Sequence, residues 1–137
     1  MKRTNRAGFT LVELLTVIAI IALLSALILG LAGLAQKKAA RSKAEAEITQ
    51  LESFVTDYQM KYGQVPPSDA ALAAALAAAN HSLTNKTDPD QMPTDPWGMP
   101  YEYTNSSKVT FYLWSYGGDT NIPPTVKAVW IGSFPAP

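Results

Sequence analysis

The chain has 137 residues, no cysteine, one histidine, and eleven basic against eleven acidic side chains. That length suits one compact domain; the absence of cysteine excludes a disulfide framework, a thiolate metal site and a cysteine nucleophile, and the single His81 excludes a multi-histidine metal cluster. Zero net charge, with no basic stripe interleaved by aromatics, offers no basis for nucleic acid binding.

Residues 1–8, MKRTNRAG, carry Lys2, Arg3 and Arg6 without an acid and read as a basic leader. From Phe9 to Ala35 the only ionisable side chain among 27 residues is Glu13, and the run from Leu14 to Ala35 is uncharged over 22. At about 1.5 Å rise per residue that run makes roughly 33 Å of helix, against a hydrocarbon core of about 30 Å, so residues 9–35 can span a bilayer. The helical pattern continues past the cationic patch Lys37, Lys38, Arg41 and Lys43. Apolar residues recur at Ala44, Ile48, Leu51, Val55, Tyr58 and Tyr62, spaced alternately by four and three, which places them on one face. No proline precedes Pro66. The spacing therefore predicts one helix from Phe9 to Tyr62, with residues 36–62 as an amphipathic spine ended by Gly63 and Pro66-Pro67.

Residues 63–137 form the globular region. Ser68 caps a short second helix, with Asp69 at its positive end and Leu72 and Leu76 one turn apart among alanines. From His81 to Pro100 the chain is polar and rich in Pro, Asp and Asn, which predicts a surface loop. Three strand-like runs follow, Tyr101 to Thr104, Val109 to Ser115 and Val126 to Ile131; in the second, Val109, Phe111, Leu113 and Ser115 share a face. The expected fold is α+β: a long N-terminal helix whose spine is covered by a small antiparallel sheet of about three strands.

Glu13 is the costly residue. A carboxylate in lipid costs on the order of 2.5 to 3.5 kcal/mol near a helix centre and less near its end, so a compensating group is required. A cut after Gly8 would create a positive α-amine on Phe9 beside the same apolar segment, and carboxylate and amine could then neutralise each other between neighbouring molecules. The junction Gly8-Phe9-Thr10-Leu11-Val12-Glu13, behind a basic leader and before a long apolar run, resembles the prepilin signal of type IV pilins and type II secretion pseudopilins. The resemblance implies cleavage after Gly8 by a prepilin peptidase acting from the cytoplasmic side, and methylation of the Phe9 amine by the same enzyme. An ordinary secretory signal ending at Gly33-Leu34-Ala35 is the rival reading; its apolar region is normally about 7 to 15 residues, shorter than the run here, and it leaves Glu13 unexplained. Basic residues flank the span on both sides, so charge does not orient it; the cytoplasmic N-terminus and periplasmic C-terminal region come from the resemblance.

A second resemblance lies downstream. Tyr62-Gly63-Gln64-Val65-Pro66, then Asp95-Pro96-Trp97-Gly98-Met99-Pro100-Tyr101, then Ser115-Tyr116-Gly117-Gly118-Asp119 is similar to the succession in major pseudopilins of type II secretion. Asp95-Pro96-Trp97-Gly98 is itself a turn signal, because aspartate can bond the backbone ahead, proline fixes φ and glycine allows a left-handed residue; Trp97 would anchor the turn. In the family, the loop after the middle strand binds calcium, and Asp119 stands at the matching place. No acidic residue follows Asp119, however, and calcium needs about six to eight oxygen ligands. Capping its own turn is the other role open to Asp119. Where the family has a proline in the membrane helix this chain has Gly30 and, nearby, Gly33. They are candidate points of helix stretching during assembly, or small residues that let helices pack closely.

The resemblance implies a structural subunit and no enzyme; Asp88, Asp90, Asp95, His81 and Ser106-Ser107 make no catalytic motif. It also implies a helical homopolymer in the periplasm, built from inner-membrane subunits with minor pseudopilins and an inner-membrane assembly platform as partners. A type IV pilin of a surface fibre, or a membrane-anchored periplasmic binding or enzymatic domain, are the alternatives.

Overall fold

A computed structural model of the chain describes residues 9–118 and 129–135; Gly8, Asp119 and the 126–128 part of the third expected strand lie outside them. The elements are α1 (Leu11–Tyr62), α2 (Asp69–Ala78), β1 (Glu102–Asn105), β2 (Phe111–Ser115) and β3 (Ile131–Ser133). The strands form one antiparallel sheet in the order β1-β2-β3. This is the α+β arrangement expected from the pattern. The chain divides into two compact units, one ending at Lys37 and one beginning at Lys38.

In the first unit the described large apolar side chains of α1 are uncovered, from 48% exposed at Val17 to 85% at Leu11. Among the described residues α1 is the one helix long and apolar enough to cross a membrane.

In the second unit α1 turns one stripe inward. Ala44, Ile48, Leu51 and Val55 are buried with Leu72, Ala73 and Leu76 of α2 and with Tyr103, Leu113 and Ile131 of the sheet. Burying such side chains contributes about 1.5 to 3 kcal/mol each and fixes which face of α1 the sheet covers. The stripe is shorter than its spacing suggests. Tyr58 is half-buried and Tyr62 is 56% exposed; the two rings pack on each other with centroids 4.4 Å apart, along a groove walled by Ala75 and Ala78 of α2 and by its C-cap Ala79. Tyr62 is therefore a rim residue.

Gly63 ends α1. Its φ of +73° is left-handed, and its N–H donates to the Gln59 carbonyl at 2.8 Å, a helix stop that a side chain would strain. Beyond it, Val65 N–H donates to the Lys108 carbonyl and the buried Tyr103 hydroxyl donates to the Pro66 carbonyl at 2.7 Å, so the proline pair is tied to the sheet. Ser68 caps α2 as expected, its hydroxyl accepting from Ala71 N–H.

The strands run slightly differently from the expected spans. β1 starts one residue later, at Glu102. β2 starts at Phe111, because the Ser107 hydroxyl accepts from Val109 and Thr110 N–H and folds them into the turn, leaving Val109 exposed. β3 runs Ile131–Ser133, so among the described residues of the third expected strand, 129–131, the ladder holds only Ile131. The 81–100 segment is less superficial than its polarity implies: Met92, Pro93 and Asp95 are buried.

One polar link crosses from sheet to helix. The Tyr101 hydroxyl, with its residue only 1% exposed, donates to the Glu47 carboxylate at 2.7 Å, and Lys43 approaches the same carboxylate at 3.7 Å. Burial, reinforced by Glu47, raises the Tyr101 hydroxyl far above its ordinary range, and burial pushes Tyr103 up to about 12. Both phenols stay protonated, and so remain donors, at any physiological pH.

Candidate functional site

The start of α1 is built differently from the sequence expectation. Thr10 is not helical; its backbone N–H donates to Glu13 Oε2 at 2.9 Å and its hydroxyl donates to the same oxygen at 2.8 Å, while Glu13 N–H donates back to Thr10 Oγ1 at 3.2 Å. This is a capping box, in which an N-terminal threonine and a glutamate three residues later satisfy each other's backbone donors. It explains why the helix begins at Leu11 rather than Phe9. Thr10-x-x-Glu13 is a capping signature legible in the sequence. Phe9 is exposed just outside the box. Both donated bonds converge on Oε2, leaving Oε1 of Glu13 directed to no partner among the described residues.

The second constellation joins the 95–98 turn to the loop after β2. Asp95 is buried; its Oδ1 accepts from Trp97 N–H at 3.0 Å and Met99 N–H at 2.9 Å, and its Oδ2 accepts from the Ser115 hydroxyl at 2.6 Å. Ser115 Oγ in turn accepts from Gly117 N–H at 3.0 Å. The Trp97 ring lies over Gly118, where any Cβ would come within 2.9 Å of the indole, and Gly118 itself has a φ of +84°. The turn and the glycine pair thus interlock, with one buried carboxylate as their centre. Trp97 anchors the turn, as its motif suggests, against the glycine loop as well as the core.

Residues 33–132 match the family model for the type II secretion system protein G, and residues 3–29 match that of the prokaryotic N-terminal methylation motif. The chain belongs to the type II secretion protein G family. Similar relatives are the type II secretion system core protein G of Pseudomonas aeruginosa, 28% identical over 87% of this chain and 88% of the relative, and that of Escherichia coli, 30% identical over 87% of each. The core protein G of Vibrio cholerae is 28% identical over 86% of this chain and 84% of its own length.

Within this family frame, the remaining site residues divide clearly. Gly30 and Gly33 lie inside α1, which passes through them without interruption, and a Cβ at either would meet nothing within 4 Å. Any packing role for them must therefore come from another molecule. Gly8 and Asp119 lie outside the described residues. The Asp95–Ser115 link was missed because its partners are 20 residues apart and nothing in either local pattern marks the pairing.

The Asp95 network generates a graded prediction. Asp95→Ala leaves three donors unpartnered and is expected to cost about 3 kcal/mol or more, whereas Ser115→Ala, which strands one carboxylate oxygen and one N–H, costs about 1 to 2 kcal/mol. Asp95→Asn, which keeps an acceptor for the turn, falls between. Urea unfolding of the three variants measures the order, and equal midpoints would show that Asp95 is not the centre of the network.

Proposed function

We propose that the chain is the major pseudopilin of a type II secretion system, a structural subunit that polymerises through α1. Hydrolysis of the Gly8–Phe9 bond by a prepilin peptidase frees the Phe9 amine, which the same enzyme methylates. Residues 9–35 hold the subunit in the inner membrane, with the N-terminus cytoplasmic and the unit from Lys38 onward in the periplasm. Minor pseudopilins and an inner-membrane platform are the partners of assembly. The observation that carries the reading is the uncovered apolar stretch of α1 up to Ala35, whose only charge, Glu13, sits in a capping box at its start.

The physical steps follow from that geometry. In lipid, Thr10 satisfies Oε2 of Glu13 within the chain, so a lone subunit tolerates its carboxylate near the headgroups. Growth of the filament exchanges lipid for neighbouring apolar helices at little hydrophobic cost, so polar matching sets register. Oε1 of Glu13 then meets the methylated Phe9 amine of a neighbour in a water-poor core, where an unpaired charge is costly. Gly30 and Gly33 give α1 its weakest helical turns, glycine costing about 1 kcal/mol relative to alanine.

Calcium is a separate proposal. Among the described residues no three acidic or histidine side chains stand together, and the oxygens of Asp95 are committed to Trp97, Met99 and Ser115. The ion would therefore rest on Asp119, with backbone carbonyls and the oxygens of Thr120, Asn121 and Thr125 as its remaining ligands. Calcium should raise the melting temperature of the detergent-solubilised chain, and Asp119→Ala should abolish the shift. Identical melting with calcium and with chelator removes the ion from the account.

Assembly is tested at Glu13. Glu13→Leu is expected to insert into the membrane and to be cut after Gly8, yet to give no filaments and no secretion; Glu13→Asp, shorter by one methylene, should be partly defective. Filaments of normal yield and spacing from Glu13→Leu would show that apolar packing alone sets register.

A further inference from the structure

Four charged residues stand on the part of α1 that belongs to the unit beginning at Lys38 and contribute nothing to its core. Arg41 and Glu45 are one turn apart, basic then acidic; Asp57 and Lys61 are one turn apart, acidic then basic. Each follows its opposite at a separation of 16 residues, 41 to 57 and 45 to 61. Arg41 Nε pairs with Glu45 Oε1 at 3.2 Å, Nη1 donates to the Val129 carbonyl at 3.3 Å, and about half of the Arg41 and Glu45 side chains stays in solvent. Asp57 and Lys61 are exposed, and neither is in an ion pair among the described residues. The Lys61 ammonium lies instead 5.2 Å from the centre of the Tyr62 ring.

The helical period gives the separation its meaning. At 3.6 residues per turn each residue advances the helix by about 100°, so 16 residues carry a side chain about 160° round and about 24 Å along the axis. Arg41 with Glu45 and Asp57 with Lys61 therefore mark two nearly opposite sides of one helix. Where two copies lie side by side and parallel, the side of one that carries Asp57 and Lys61 faces the side of the other that carries Arg41 and Glu45. A stagger of 16 residues then sets Arg41 against Asp57 and Glu45 against Lys61, two opposite-charge pairs at once. Such a contact joins two different patches and shifts along the axis at every step, so it builds an open array and not a closed pair.

The order of the signs works against every nearby alternative. A stagger one turn shorter sets Glu45 against Asp57, and one turn longer sets Arg41 against Lys61. Antiparallel pairing of the two patches makes both of those like-charge contacts together. Repulsion in the wrong registers is as much a source of specificity as attraction in the right one. The wall of the groove beside Asp57 and Lys61 is Ala75 and Ala78 of α2 with its C-cap Ala79, small side chains that let a helix approach.

We propose that Arg41 and Glu45 of one subunit pair with Asp57 and Lys61 of a second copy, in a lateral contact between parallel helices staggered by about 24 Å. The inference rests on the assembly reading above and adds to it a register contact in the folded unit, separate from Glu13. Exposed ion pairs are individually weak, so this contact selects the axial register and does not drive growth.

The chain has no cysteine, so introduced thiols report only the contact under test. The full chain is produced in cells that carry a prepilin peptidase and the inner-membrane platform, and sedimented filaments are oxidised. Arg41→Cys with Asp57→Cys, and Glu45→Cys with Lys61→Cys, should each give a ladder of disulfide-linked multimers, because every subunit offers one thiol to each of two neighbours. Arg41→Cys with Lys61→Cys, one turn out of register, should give little or none. A second series changes charge without thiols: Lys61→Glu should lower filament yield about threefold or more, and adding Glu45→Lys should restore it. Should the cysteine variants form no filaments, the charge series decides. No filaments from the unsubstituted chain would overturn the assembly reading and this contact with it. Normal filaments in which the matched thiols cross-link no more than the mismatched pair would overturn the contact alone, as would a Lys61→Glu defect that Glu45→Lys fails to repair.

Discussion

A single continuous helix has to satisfy two solvents. In its first part α1 exposes apolar side chains on every side, which suits lipid or a ring of like helices. Farther along it exposes charge on most sides and keeps one narrow apolar stripe, Ala44-Ile48-Leu51-Val55, for the sheet and α2. The rest of the fold depends on that stripe, because the apolar face of the short-stranded sheet, Tyr103, Leu113 and Ile131, is buried against it. α2 and the sheet are in effect a cover for four helical positions, tied down by Tyr101 to Glu47 and by Tyr103 to Pro66. In the other part no described residue covers the helix, and on the proposed reading lipid or a neighbouring subunit does.

Polar groups are placed where each environment tolerates them. At the lipid end the one charged group has its cost lowered locally, with the Thr10 N–H and hydroxyl both on one Glu13 oxygen. The same device works in the folded unit. Asp95 is buried, but it accepts from two backbone N–H groups and one hydroxyl, and so organises a turn and a loop distant in sequence. With Trp97 laid over Gly118, this interlock holds the glycine pair that follows β2. Loops that carry function are commonly held this way by a rigid neighbour.

The periodic elements were legible in the sequence. The membrane-length run, the stripe from Ala44 to Val55, the Ser68 cap and the Gly63 stop all follow from local pattern and local chemistry. Tyr62 was not legible as exposed, since spacing says which residues share a face but not where the covering layer ends. Val109 and the third strand were misjudged at their edges for a related reason: turn hydrogen bonds from Ser107, and pairing between distant strands, decide where a ladder starts. At the candidate site, Glu13 and its apolar context were visible, and so was the turn chemistry of Asp95. The capping bonds from Thr10 follow from a local pattern, Thr10-x-x-Glu13, whereas the Ser115 partner of Asp95 depends on tertiary folding alone.

On the proposed reading, cleavage and methylation make the start of α1, so that the Phe9 amine of a neighbouring subunit becomes the counter-charge for Glu13. Mass spectrometry of the chain recovered from membranes of cells that carry a prepilin peptidase tests this most directly. The account predicts a mature protein that begins at Phe9 and is one methyl group heavier than the unmodified sequence. A chain that begins at Met1, or at Gln36 after an ordinary signal cut, would contradict it.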